Sequence, residues 1–154
     1  MRGQHTKKKR ATPYHKKPAD LDLEEWQRAL RAEWSADKGV RLKIERLDGE
    51  HPVFADYSVE NPASGGVYKV ALRSRERGSN FCTCLDFKTN ALGTCKHIEA
   101  VLQKVAKNRK TAALLRQDYR PTYSSLALKY GATREVALRI GTEHAQELKN
   151  LART

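Results

Sequence analysis

FCTCLDFKTNALGTCKH, residues 81–97, holds all three cysteines of the 154-residue chain and one of its five histidines. Cys82 and Cys84 stand two apart, so in an extended chain both side chains leave the same face and their sulfurs reach one point. Cys95 and His97 are also two apart, and in a regular helix such residues are turned about 200° from each other. They converge only where the backbone is entering a helix, in the turn before Ile98, and Gly93-Thr94 supplies the bend. The ten residues between Cys84 and Cys95 form a loop whose closure costs entropy, and a metal is a sufficient clip for it.

Three thiolates and one imidazole match a structural zinc set, tetrahedral and closed, with bonds of about 2.3 Å to sulfur and 2.0–2.1 Å to nitrogen. Catalytic zinc keeps a position for water, so four protein ligands argue for a scaffold. The zinc deaminases need a later Pro-Cys-x-x-Cys pair, which this sequence lacks. A Cys82–Cys84 disulfide would close a very tight ring, three cysteines cannot all pair within one chain, and no Cys-x-x-Cys redox motif occurs. The alternative is three buried cysteines acting as small hydrophobes beside a satisfied histidine. With no cysteine elsewhere in the chain, metal is the stronger reading.

Working outward, Ile98, Val101, Leu102, Val105 and Ala106 share one side of a helix whose other side carries Lys96, Lys104, Lys107 and Lys110. That basic side is either a solvated face or a phosphate contact. Before the cysteines the period is two: Leu42 and Ile44, then Val53, Ala55, Tyr57 and Val59, then Tyr68, Val70 and Leu72. Asp48-Gly49, residues 61–66 and residues 75–78 are turn chemistry, so an antiparallel meander of three strands leads into the cysteine segment. Upstream, Asp22 and Glu25 form a capping box, with Leu21 and Trp26 spaced as a hydrophobic staple. Leu23, Trp26, Leu30 and Trp34 make an apolar stripe expected to pack on a sheet, and Lys38-Gly39 closes this helix. The two tryptophans on that stripe read as core more than as base-stacking platforms. Past residues 119–121, Leu126, Leu128 and Tyr130, then Val136, Leu138 and Ile140, alternate about a Gly131-Ala132 turn, and Thr142 is placed to cap a last helix through Leu148 and Leu151. The expected fold class is α+β: an N-terminal helix, an antiparallel meander, a zinc-bound β-hairpin with its helix, and a C-terminal hairpin and helix. It divides into a basic tail (1–18), a body with the finger (19–110, finger core 67–106) and a small C-terminal lobe (119–154).

Charge narrows the function. Thirty Lys+Arg against 18 Asp+Glu give +12; Arg2, Lys7, Lys8, Lys9, Arg10, Lys16 and Lys17 place +7 of it in residues 1–18, leaving +5 for 19–154. The tail is too polar to offset ordering entropy, so it is expected to be disordered in isolation and either to attract polyanions or only to solubilise and localise the chain. No run approaches the 18 or more apolar residues of a membrane span, and the basic N-terminus lacks the apolar segment of a secretory signal. A cytoplasmic protein with no membrane partner is expected.

Cys-x-Cys, ten residues, Cys-x-His, together with the text CTCLDFKTNALGTCKHIEAVL of residues 82–102, closely resembles the SWIM zinc finger, most of all the version near the N-terminus of bacterial Swi/Snf-type helicase-like ATPases. The resemblance implies that Cys82, Cys84, Cys95 and His97 bind one zinc ion in a short β-hairpin followed by a helix. It also implies association with a helicase-like ATPase. The motor itself is not here: phosphate-cradling loops need Gly-Lys-Ser/Thr, and none of the nine glycines precedes a lysine. The chain is then part of a longer ATPase or a freestanding finger protein.

A non-enzymatic module that contacts nucleic acid, DNA before RNA, is the leading expectation. Its phosphate contacts would come from Lys69, Arg73, Arg75, Arg77, Lys88, Lys96 and Lys104 around the finger and from Lys7, Lys8, Lys9 and Arg10 in the tail. Phe81 and Phe87 could stack on bases, but beside a metal site they read as core. The rival is a protein-interaction adaptor whose tail only localises it. An enzyme has little support, because Asp56, Glu60, Asp86 and Glu99 form no metal-carboxylate spacing, and no small-molecule substrate is expected.

Overall fold

The computed structural model describes residues 12–37, 41–117 and 119–151. Its first helix, α1 (Leu23–Ala36), starts where the capping box is read: the Asp22 side chain accepts from the Glu25 amide at 2.7 Å and Glu25 reaches back to the Asp22 amide. Lys38-Gly39 lies outside the described residues. The helix ends at Ala36 with Asp37 extended as its C-cap.

Four strands follow in meander order, β1 (Lys43–Arg46), β2 (Asp56–Asn61), β3 (Gly66–Ala71) and the two-residue β4 (Phe81–Cys82), each antiparallel to the one before. Alternation puts Tyr57, Val59 and Val70 on the covered face, with Leu72 and Cys82 buried alongside. That face receives α3 (Lys96–Lys107) through Ile98, Val101 and Val105. A short α2 (Leu85–Thr89) occupies half of the loop between Cys84 and Cys95, and α4 (Arg109–Leu115) restarts behind Asn108, whose side chain accepts from the Lys110 and Thr111 amides. Neither helix is legible from periodicity, because each is two turns or less.

The stripe on α1 packs against α3, not on a sheet. α3 already covers the sheet's apolar face, so α1 forms a third layer, and Leu23 at its start is exposed. Trp26 Nε1 donates to the Pro13 carbonyl at 2.7 Å, and Trp34 lies under the Lys96 ammonium, 4.2 Å from the ring centroid. Thr12, inside the segment read as tail, hydrogen-bonds to Glu33 of α1.

The C-terminal part is a separate two-stranded ribbon, β5 (Ser125–Lys129) with β6 (Glu135–Arg139), followed by α5 (Ala145–Leu151). Thr142 does not cap α5: His144, in the left-handed region at φ 55°, intervenes, and the Thr142 amide instead donates to the Pro121 carbonyl. The ribbon's alternation is real, but Leu126, Leu128, Val136 and Leu138 point to solvent, while Ala127 and Ala137 share the opposite face. Among the described residues, no helix is long and apolar enough to cross a membrane.

Candidate metal centre

Both arms of the cysteine segment adopt the backbone that convergence requires. Cys82 ends the sheet in β4, and Cys84 is the extended N-cap of α2 at φ −69°, ψ 153°. Cys95 is the extended N-cap of α3 at φ −151°, ψ 169°, which puts His97 in that helix's first turn. Gly93 makes the bend at φ 68°, a left-handed conformation that favours glycine. A side chain there would also meet the Tyr130 carbonyl oxygen at 2.6 Å and the Gly78 nitrogen at 2.8 Å. Gly78, itself at φ 79°, donates to the Gly93 carbonyl, and its own carbonyl accepts from Tyr130. Loop, sheet turn and C-terminal ribbon therefore meet backbone to backbone beside the cysteines.

The sequence brings all four expected side chains together. Their ligand atoms lie within 4.8 Å of one another, and all four residues are buried. Cys82 Sγ is 3.7 Å from His97 Nδ1, close to the edge of roughly 3.6 Å that a tetrahedron with ordinary zinc–sulfur and zinc–nitrogen bonds would have. His97, at 1% exposure, has no hydrogen-bond partner on Nε2, the one buried side-chain nitrogen or oxygen in that condition among the described residues. Nδ1 is the ring nitrogen turned to the sulfurs and so the one placed to bind a metal; Nε2 points away from it. Tyr68 stacks on its ring at 4.3 Å and 22°, which fixes its plane.

The sulfurs point the same way through charge. Hydrogen bonding with Cys84, and then burial, push the Cys82 thiol up to about 12. The Cys82 and Cys84 sulfurs, with burial, push Cys95 up as well, while its two sulfur neighbours hold Cys84 far below the usual thiol range. Backbone amides favour the charged sulfurs, with Cys84 N donating to Cys82 Sγ at 3.5 Å and Phe87 N to Cys84 Sγ at 3.4 Å. Three thiolates this close repel one another and require a cation between them. The four residues can hold a metal ion.

Several supporting residues are invisible to spacing. Arg31 of α1 grips Asp86 of α2 with two hydrogen bonds, 2.6 and 3.1 Å, and Arg28 donates to the Leu92 carbonyl at 3.1 Å, so α1 braces the loop between the two cysteine arms. Asn80, 3% exposed, accepts from the Arg73 and Ser74 amides and shapes the turn into β4. Phe87 is fully buried and meets Phe81 edge-on at 5.7 Å, the core role read for both.

The cations read as phosphate contacts are dispersed. Lys7, Lys8, Lys9 and Arg10 lie outside the described residues. Arg73 and Lys69 both pair with Asp56, at 2.5 and 2.7 Å. Lys96 covers Trp34, and Lys104 donates to the Ile44 carbonyl. Arg75, Arg77 and the Lys88 side chain are exposed without an ion pair among the described residues. Compared with known proteins, the chain matches no family model, no curated protein and no solved structure.

Proposed function

We propose that Cys82, Cys84, Cys95 and His97 hold one structural zinc ion, and that the chain is a non-enzymatic SWIM-type finger module contacting DNA alongside a Swi/Snf-type helicase-like ATPase. The observation that carries zinc is the convergence of three sulfurs and one imidazole, all buried, within 4.8 Å. Four protein ligands leave no position for a reacting water, which supports a scaffold in place of a hydrolase. The zinc ties a strand end to two helix starts, so its role is to set the angle between the sheet and α3. DNA contact is supported by the +12 excess and the unpaired Arg75, Arg77 and Lys88. Metal analysis of the purified chain, with binding to a mixed-sequence duplex measured over a salt series, tests both parts. One zinc per chain and affinity falling steeply with salt are expected. Zinc without salt-dependent binding would refute the DNA part.

A second reading, a protein-interaction adaptor, is favoured by one observation: Leu126 and Val136 on the outer face of β5–β6 are 74% and 73% exposed.

A further inference from the structure

A cleft of about 490 Å³ opens between the sheet turn at residues 73–79, the end of α4 with residues 116, 117 and 119–121 beyond it, and the β5–β6–α5 unit. Five arginines, Arg73, Arg75, Arg116, Arg120 and Arg139, together with Lys149, line it, and among the described residues Glu76 is the one acid in that lining. Six cations from separate parts of the chain thus gather around one concavity. Most of that charge is uncommitted. Arg75, Arg116 and Arg120 are exposed with no ion pair among the described residues. Arg139 is half-buried, and its guanidinium donates to the Ser79 carbonyl, with no ion pair among the described residues. Burial first, then the Arg73 charge, hold it below the usual guanidinium range. Like charges gathered around a concavity repel one another and are relieved by an anion.

The wall is aromatic as well as basic. Tyr119 has its ring engaged, stacked on Phe54 at 5.7 Å and tilted against His51 at 4.4 Å. Tyr123 has no ring partner among the described residues and is 54% exposed, which leaves a π face free in the cleft. A cation cluster beside a free aromatic face is the pairing that takes phosphates and a base together. The volume falls in the range of roughly 300–1,000 Å³ that takes a small molecule, which suits a nucleotide outside a base-paired stack.

We propose that this cleft binds a nucleotide unit of a single-stranded nucleic acid, with its phosphates among Arg75, Arg116, Arg120 and Arg139 and its base on Tyr123. The inference rests on the nucleic-acid reading above and gives it a place and a strand type. The residues come from three separate stretches of sequence, around 75, 116–123 and 139, so no linear motif reveals them.

The test compares the full zinc-loaded chain with Arg116→Glu/Arg120→Glu, Tyr123→Ala and Tyr123→Phe. Binding to a short mixed-sequence single strand, to the corresponding duplex and to a mononucleotide is followed against salt. The charge reversal should weaken strand binding by roughly tenfold or more and flatten the salt dependence by about 0.7 for each phosphate no longer neutralised. Tyr123→Ala should lose roughly tenfold without changing that slope, and Tyr123→Phe should bind like the parent. Unchanged metal content shows that the variants are folded at the finger. Parent-like strand affinity in both disabling variants overturns the cleft while leaving DNA contact elsewhere intact. A parent that binds neither strand nor duplex overturns the cleft and the nucleic-acid reading together. A mononucleotide that matches the strand's affinity, and loses it in the same variants, supports the nucleotide site with a free nucleotide as its source.

Discussion

The β3–β4 and β5–β6 pairs are both antiparallel, both alternate apolar with polar residues, and bury opposite things. In the first, Val70 and its partner Cys82 are fully buried beneath α3. In the second, the cross-strand pairs Leu126–Leu138 and Leu128–Val136 face solvent, and Ala127–Ala137 lies on the other face. Alternation fixes which residues share a face, because the side-chain period of a strand is two. It does not say which face is covered; that is decided by what the chain later lays over it. The covered face here is organised around four side chains placed to hold a metal ion, and the ribbon joins it through Tyr130, whose ring lies 4.6 Å from Phe87.

The strongest way to break the contrast is at the ligands. Cys84→Ala or His97→Ala is expected to abolish metal binding, an effect above the 10- to 100-fold typical of supporting residues, and to unfold the segment around residues 81–100 first. Elemental analysis and hydrogen exchange read both effects. Next in size, Leu72→Ala, at a fully buried site, should cost about 2–5 kcal/mol in denaturant unfolding.

Gly93→Ala attacks the joint between the two regions. A left-handed backbone and a 2.6 Å approach to the Tyr130 carbonyl both oppose a side chain there, and roughly 1–3 kcal/mol should be lost in thermal melts. Hydrogen exchange at Tyr130 would show whether the ribbon loosens with it.

Asp56 supplies the pH dependence. Burial raises its pKa, but hydrogen bonds and charge from Lys69 and Arg73 together outweigh it, so the carboxyl titrates below its ordinary value in the folded protein. Its stabilisation is complete above the unfolded carboxylate pKa of about 4 and fades as pH falls through the depressed folded value. Asp56→Asn should remove that acid-side slope and cost about 1 kcal/mol at neutral pH, a modest figure because Lys69 is largely exposed. At the small end, Leu126→Ala should change stability by less than about 0.5 kcal/mol, against the several expected at Leu72. A large loss there would mean that the ribbon's outer face is covered in solution.

Much of this is legible in the sequence, and the reasons differ by element. The capping box at Asp22 and Glu25 and the ligand set at Cys82, Cys84, Cys95 and His97 rest on local spacing, which a chain cannot satisfy in many ways. The α1 stripe points to a sheet only because an apolar stripe names a need for cover without naming the cover; α3 takes that place. The short α2 and α4 escape periodicity, and the grip of Arg31 on Asp86 spans 55 residues, which no local pattern encodes. The basic cleft gathers its residues in the same non-local way.

The most direct measurement of the central claim is the metal content of the purified chain set beside that of His97→Ala, with free thiols titrated in both. One zinc per chain in the parent, its three cysteines protected until a chelator is added, and little or no zinc in the variant is the predicted result. A metal-free parent with three freely reacting thiols would contradict it.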